Sequence, residues 1–491
     1  MQRPNAEAGD SARALGQGGT INADICIIGA GSGGLSVAAS TVLLGMKVVL
    51  IEKHLMGGDC LNTGCVPSKS LIAAARRAHE MRTAGKFGIR AVEPEVDAAA
   101  LNDHIKSVIA GIARNDSIER FTGMGVEVIQ APARFRDKHT VEAGDTLIKA
   151  WRFVIATGSS PAVPPIPGLD KVPYLTNETL FDLREPIGHL VVVGGGAVGM
   201  EMAQAYLRLG AKVTVLEGLK ALGRDDPELS DVVLKYARAE GMVIREGARV
   251  ERVSGWPGVV QVTIATSEGS EVVEGTHLLV AAGRKPNVHG LNLEAAGIKY
   301  DNRGIMVSDG LITSNRRIFA IGDVIAGGQA FTHVANYHAG IVFRRALFRL
   351  PAKVQRELIP WVTFTDPELA QVGLTEDQAR QKHGAIQVFR WPYHENDRAQ
   401  AERATEGFVK VVTDRKGRIL GAGIVGREAG ELIQIWSLAI SQGLKITAMT
   451  RWIAPYPTLG EISKRAAMGT YALSAGKPLV RKAVGLLRKL G

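Results

Sequence analysis

Apolar residues along this chain gather into short runs that end on glycine. Asp24 to Ile28 is one such run, and it meets Gly29-x-Gly31-x-x-Gly34. Helical periodicity follows, then a second apolar run from Lys47 to Ile51 that ends in Glu52. Strand, glycine turn, helix and strand predict a βαβ unit over residues 24–52. The first glycine permits a tight turn, the second lets a pyrophosphate approach the backbone, and the third packs helix on strand. The acid at the end of the second strand can accept from a ribose hydroxyl. A GxGxxG alone is a weak signal. Set between strand and helix, with a carboxylate twenty-three residues on, it is specific.

The unit recurs at a shift of 165 residues. The strand Leu190 to Val193 leads into Gly194-x-Gly196-x-x-Gly199, and Gly45, Lys47, Val48 and Glu52 fall on Gly210, Lys212, Val213 and Glu217. One chain therefore carries two dinucleotide sites. Between them, residues 100–120 read as helix and 126–157 as short strands ending in Ala156-Thr157-Gly158. The proline-rich stretch Pro161 to Pro167 reads as a hinge. Further on, a strand from Ile318 to Ile321 ends in Gly322-Asp323, where a carboxylate suits a cofactor hydroxyl. From about residue 356 the pattern becomes α+β: strands Phe408 to Val412 and Ile419 to Val425 flank the turn Asp414-Arg415-Lys416-Gly417, and helices follow. The expected class is α/β, with two Rossmann-like domains and an α+β C-terminal domain.

Length and composition narrow the picture. At 491 residues the chain exceeds one core, and two to four domains are expected. Hydrophobic residues at 46% and charged residues at 22% are ordinary for a soluble globular protein. No apolar run is long enough for a spanning helix. Residues 1–20 lack an apolar core and carry both Asp and Glu, so they read as a disordered extension and not a targeting signal. A reducing cytoplasm is the expected setting. The net charge of +10 raises the question of nucleic acid. The basic residues are scattered, however, and no stacking series or recognition motif accompanies them, so no nucleic acid partner is expected. One basic cluster stands apart, the tail from Lys477 to Gly491. Val480, Val484, Leu487 and Leu490 share a helical face there, with Arg481, Lys482, Arg488 and Lys489 mostly elsewhere. Such a helix can lie on an anionic membrane or dock on the protein's own body, and docking is the simpler expectation.

The candidate chemistry lies in residues 57–69, GGDCLNTGCVPSK, where Cys60 and Cys65 stand five positions apart in a chain with one other cysteine. In a regular helix five steps would separate their Cα atoms by roughly 7.5 Å, more than the ~7 Å a disulfide spans. The segment must therefore be distorted, and Gly64 makes distortion cheap. A helix starting after Cys65, with Pro67 in its first turn and Lys69 nearby, favours a thiolate at Cys65. A structural staple is disfavoured where no secretory signal precedes it. Half a metal site lacks further cysteines or a spaced histidine pair, so no metal ligands are assigned. A redox-active pair is the preferred reading. Cys26, in the first strand, reads as packed core.

Taken in order, Gly29 to Gly34, the Cys60/Cys65 segment, Ala156-Thr157-Gly158, Gly194 to Gly199, Gly283-Arg284, Gly322-Asp323 and the PTLGE from Pro457 resemble the pyridine nucleotide-disulfide oxidoreductases. That family includes dihydrolipoamide dehydrogenase, glutathione reductase and mercuric reductase, and the likeness runs from about Asp24 to Gly469. By this resemblance the parts 21–160 and 290–355 form an FAD-binding domain, and 161–289 an NAD(P)-binding domain. Residues 356–476 form a dimer interface, and 477–491 the basic amphipathic tail. Gly29, Gly31, Gly34, Glu52, Lys69, Thr157, Gly158 and Asp323 are implied to hold FAD, with Asp323 on the ribityl chain. Gly194, Gly196, Gly199, Glu217 and Gly283 are implied to hold the nicotinamide nucleotide. NADH is expected over NADPH, because Glu217 repels a 2′-phosphate and Gly218 and Leu219, not a cation, follow it. Cys65 is implied to face the flavin and Cys60 to meet the acceptor, with Lys69 near flavin N5 and paired to Glu201. A homodimer follows, since the segment 455–461 completes the partner's disulfide site.

Two departures redirect the function. Disulfide-reducing members carry His-Pro-Thr followed by a Glu, and the His shuttles protons. Here the segment is Tyr456-Pro457-Thr458-Leu459-Gly460-Glu461. A positioned acid–base contributes ~10²–10⁴ in rate, and tyrosine, with a pKa of about 10, is a poor substitute near neutrality. A tyrosine here resembles mercuric reductases, but this chain has neither a C-terminal vicinal cysteine pair nor an N-terminal cysteine-bearing capture domain. The leading expectation is an FAD enzyme passing electrons from NAD(P)H through Cys65 and Cys60 to a small acceptor: a metal ion such as Hg(II) or Cu(II), a quinone or another electrophile. The second is a dihydrolipoamide dehydrogenase in which His333 or His394 replaces the missing histidine. A third, of another class, is a slow-turnover redox-responsive flavoprotein that docks at membranes.

Overall fold

The structure is a computed structural model that describes residues 19–256, 258–267, 269–475 and 478–489. The expected N-terminal extension lies outside the described residues up to position 18, and Thr20 already belongs to the first strand. The chain divides into two compact units. The first contains the chain up to Gly58 with residues 114–159 and 286–354; the second contains residues 59–113, 160–285 and the chain from 355 onward. Residues 59–113, grouped by the sequence with the first nucleotide domain, thus belong to the second unit. The reason is packing: the helix Cys65–Thr83 lies against both Ala98–Ala113 and Ala197–Arg208.

The first unit is built on a seven-stranded sheet. Thr20–Ile28 is central, paired in parallel with Val48–Glu52 on one side and Thr146–Ile155 on the other. Glu127–Gln130 extends the first side and Ile318–Ala320 pairs in parallel with Thr146–Ile155. Parallel strands are covered on both faces, so they need unbroken apolar runs and not alternation. Ile25, Ile27, Leu50, Val154 and Ile155 are all buried. The central strand starts four residues before the expected Asp24, because its neighbour is ten residues long and Thr20 pairs with Leu147.

The second unit holds a four-stranded parallel sheet ordered Val243–Arg245, Lys212–Leu216, His189–Val193 and His277–Val280. It also holds a five-stranded antiparallel sheet. In that sheet Phe408–Asp414 and Ile419–Gly426 form the expected hairpin, closed by Asp414 Oδ1 accepting from the backbone N–H of Lys416 and Arg418. Lys410, on the hairpin, is buried yet fully engaged. Its Nζ lies 2.9 Å from Asp226, 2.7 Å from Glu228 and 3.0 Å from Glu376, and Arg390 pairs with the last two. A buried ammonium is tolerable only when so paired. The tail helix, Pro478–Leu487, has no buried residue, so docking on the chain's own body is not what the structure shows.

Candidate active site

The first nucleotide loop is built to leave room. Gly29 has φ +104°, and a Cβ there would stand 2.4 Å from the Ala156 carbonyl oxygen; one on Gly34 would stand 1.9 Å from the Gly29 carbonyl oxygen. Only glycine fits either position. The helix Ser32–Val42 starts immediately after Gly31, so its first N–H groups face the turn, where a pyrophosphate is favoured. Glu52 is fixed by accepting from Ala30 N–H at 2.7 Å and His54 N–H at 2.9 Å. Each carboxylate oxygen retains a lone pair for a ribose hydroxyl.

Against this loop the structure brings Ala156-Thr157-Gly158. Thr157 donates to the Asn287 carbonyl at 2.8 Å, and Asn287 Nδ2 donates back to the Thr157 carbonyl at 2.9 Å. Ser159 donates to Asp323 Oδ2 at 2.7 Å. Gly29, Gly31, Gly34, Glu52, Thr157, Gly158 and Asp323 therefore gather in one unit, and the glycine clearances and the Glu52 carboxylate fit an FAD. Asn287 and Ser159 carry no motif signal beyond their nearness to Gly283 and Gly158.

The second loop repeats the first atom for atom. A Cβ on Gly194 would stand 2.4 Å from the Ala281 carbonyl oxygen, and one on Gly199 would stand 1.9 Å from that of Gly194. Glu217 accepts from Gly195 N–H at 2.8 Å and Leu219 N–H at 2.9 Å, the counterparts of Ala30 and His54. The helix Ala197–Arg208 begins after Gly196. Glu246, which the sequence did not single out, accepts from Ala221 N–H at 3.0 Å and adds a second carboxylate to the loop after Glu217. Gly283 has φ +125° and accepts from Ala162 N–H at 2.9 Å.

The cysteine segment breaks where glycine allows it. A short helix, Gly58–Asn62, carries Cys60; the long helix Cys65–Thr83 opens on Cys65, with Gly64 between them at φ −118°, ψ −111°. A Cβ on Gly64 would stand 2.9 Å from the Asp59 carbonyl oxygen and 3.2 Å from Cys60 Cα. The missing side chain lets the two cysteine-bearing turns close on each other. Asp59 locks the fold-back: it accepts from Thr63 Oγ1 at 2.8 Å and Asn177 Nδ2 at 3.0 Å, and pairs with Arg284 at 3.1 Å. Just upstream, Gly57 N–H donates to the Ala30 carbonyl at 2.9 Å, so the first glycine loop is tied to residues directly preceding the cysteines.

One turn into the long helix, Lys69 Nζ donates to Glu201 Oε2 at 2.8 Å and lies 4.3 Å from the centre of the Phe364 ring. The other Glu201 oxygen accepts from Phe364 N–H at 3.0 Å. Glu201 is buried, with one carboxylate oxygen on the lysine and the other on the Phe364 backbone. Tyr456 is exposed, and its hydroxyl donates to Asp397 Oδ2 at 2.9 Å. That hydrogen bond to a carboxylate, reinforced by the charges of Asp397 and Glu461, pushes its pKa above the ordinary tyrosine range. Glu461 opens the helix Glu461–Ala475. Cys26 is buried in the first strand and burial pushes its thiol pKa up, as befits packed core. Of the two histidines weighed as substitutes, His333 stacks on Phe331 and His394 is exposed, with its carbonyl accepting from Gln400.

Two dinucleotide loops, a cysteine pair held at a helix start and a lysine paired with a buried glutamate define a nucleotide-dependent disulfide oxidoreductase. Comparison with known proteins agrees. The family model for pyridine nucleotide-disulphide oxidoreductases matches residues 23–339, and that for their dimerisation domain matches 359–467. The chain belongs to the pyridine nucleotide-disulphide oxidoreductase family. It is 38% identical to a mercuric reductase of Lysinibacillus sphaericus, over 91% of this chain and 82% of that protein. It is 35% identical to a dihydrolipoyl dehydrogenase of Geobacillus stearothermophilus, over 91% of this chain and 96% of that protein. A solved Cu(II) complex of the HOCl-induced flavoprotein disulfide reductase RclA from Escherichia coli superposes with a TM-score of 0.81 at 29% identity, covering 90% of this chain and 99% of that one.

Proposed function

We propose that this protein oxidises NADH and passes the electron pair through Cys65 and Cys60 to a small acceptor that takes up few protons, a metal ion such as Hg(II) or Cu(II) above all. FAD, held by the first loop with Asp323 on its ribityl chain, would carry the two electrons between nicotinamide and the cysteine pair. The reduction balances without an added proton: NADH and the disulfide give NAD⁺, one thiol and one thiolate. Lys69, fixed by Glu201, supplies positive charge at the helix that starts on Cys65, which favours the thiolate there. Cys60 meets the acceptor. One Hg(II) takes the electron pair, or two Cu(II) take one electron each, as the disulfide reforms and one proton leaves. A disulfide acceptor departs as a thiolate that an acid must protonate.

Tyr456 carries this choice. Its proton is held by Asp397 and its pKa is raised, so it serves poorly as a shuttle at neutral pH. The mercuric reductase relatives and the Cu(II)-bound neighbour support a metal acceptor; a quinone, which draws two protons from solvent on full reduction, or another electrophile comes next. The dihydrolipoyl dehydrogenase reading draws on the nearly full-length match to that relative. Glu217 at the second loop favours NADH, since its carboxylate repels a 2′-phosphate, whereas the charge of Glu246 is paired with Arg238 at 2.7 Å. A homodimer, in which Tyr456 and Glu461 complete the partner's disulfide site, agrees with the exposure of Leu438, Ile453, Tyr456 and Met468 on the dimerisation domain. A reducing cytoplasm suits a cysteine pair that must cycle. Steady-state turnover of NADH and NADPH with Hg(II), Cu(II), quinones, lipoamide and glutathione disulfide, and of NAD⁺ with dihydrolipoamide, tests the proposal. Metal turnover with NADH, exceeding that with either disulfide, is expected; brisk oxidation of dihydrolipoamide by NAD⁺ would overturn it.

A further inference from the structure

The tail helix Pro478–Leu487 is folded and yet leaves its apolar residues exposed. It has no buried residue; Leu479 is 80% exposed, Val484 54%, Leu486 62% and Leu487 63%. At about 100° per residue, Leu479, Val480, Ala483, Val484, Leu486 and Leu487 fall within one arc of roughly 160°. Arg481, Lys482, Arg488 and Lys489 occupy the opposite arc. Arg481 Nε reaches back to the Ala475 carbonyl at 3.3 Å, and none of the four has a carboxylate partner among the described residues. Lys477, Leu490 and Gly491, the remaining members of the tail as read from the sequence, lie outside the described residues.

Charge decides what this face meets. Residues 462–491 contain seven Lys or Arg and no Asp or Glu. A second copy of the tail would bring two strongly basic helices together, at a cost in like-charge repulsion. A nucleic acid backbone would satisfy the cations and leave the apolar arc in water. An anionic bilayer surface satisfies both at once: the apolar arc enters the acyl boundary while the flanking cations meet lipid phosphates. We propose that this helix is a membrane-surface anchor that seats the oxidoreductase on anionic lipid.

The test uses the full-length holoenzyme sedimented with vesicles of phosphatidylcholine alone and of phosphatidylcholine mixed equally with phosphatidylglycerol. Binding to the anionic vesicles only, weakened by added salt, is expected. The double variant Leu486→Glu/Leu487→Glu should lower vesicle affinity by about tenfold or more, and Arg488→Gln/Lys489→Gln should lower it less. NADH oxidation should be unchanged in both variants, which shows that they fold. Equal binding to neutral vesicles, no binding to either, or full binding by the Leu486→Glu/Leu487→Glu variant would overturn the proposal. So would conversion of a dimer to a monomer by that variant in sedimentation velocity, because the face would then belong to a second copy.

Discussion

At the scale of single residues, the proposed choice of acceptor rests on Tyr456. Its hydroxyl is a donor to Asp397 and not a free acid, and the carboxylate makes the proton harder to remove. Replacing it with histidine places a group titrating near neutrality beside Glu461, as other orienting carboxylates support imidazoles. Tyr456→His should raise turnover of dihydrolipoamide or glutathione disulfide by about tenfold or more. Metal-ion reduction should change less. Paired kcat/KM measurements on the two acceptor classes check this, and an unchanged ratio speaks against the role given to Tyr456. The residues proposed to carry the chemistry were legible because they sit in motifs. Asp59, Asn287, Glu246 and Phe364 were not, because their partners lie at distant positions such as Arg284, Thr157, Ala221 and Glu201. Only the fold brings those pairs together.

At the scale of elements, the two glycine loops are copies of one another, and the separate duties proposed for them are separable by mutation. Gly34→Ala places a methyl 1.9 Å from the Gly29 carbonyl oxygen, and Gly199→Ala does the same against Gly194. Overpacking of this kind costs about 1–3 kcal/mol. Gly34→Ala should purify with reduced flavin content. Gly199→Ala should keep its flavin and raise the KM for NADH by about tenfold, a loss near 1.4 kcal/mol. Absorbance ratios and steady-state kinetics distinguish the two. Equal flavin loss in both variants would contradict the assignment of the loops. The strands before these loops were legible because parallel, doubly covered strands must be apolar throughout. Their ends were less so: Thr20 to Ala23 are recruited by pairing with Leu147 to Ala150, a long-range effect with no local signal. The same holds for residues 59–113, whose place is set by helix packing. The tail's amphipathic pattern was plain, but whether its face is covered is a tertiary fact.

At the scale of the whole molecule, the second unit depends on buried charge. Glu376, despite the opposing effect of burial, is held at about 2 by hydrogen bonds from Arg380 and Lys410. Arg390 holds Glu228 below its ordinary range, and Asp366, though burial opposes ionisation, is held down by Arg208. Carboxyls depressed in the folded state contribute stability above their unfolded pKa and lose it as pH falls through the folded one. The melting temperature should therefore decline between pH 4.5 and about 2. Lys410→Met, which leaves Asp226, Glu228 and Glu376 short of a cation, should cost about 3–5 kcal/mol. Thermal melts across pH test both, and a flat profile through that range would remove the cluster from the stability account.

The central claim is that electrons travel through Cys65 and Cys60, and long-wavelength absorbance of the holoenzyme tests it most directly. Reduction of the wild-type protein should produce a charge-transfer band, because a Cys65 thiolate beside oxidised flavin is a donor–acceptor pair. Cys60→Ser should show that band without reduction, since Cys65 then stays a thiolate, and Cys65→Ser should never show it. A colourless protein, or a band indifferent to both substitutions, would contradict the account.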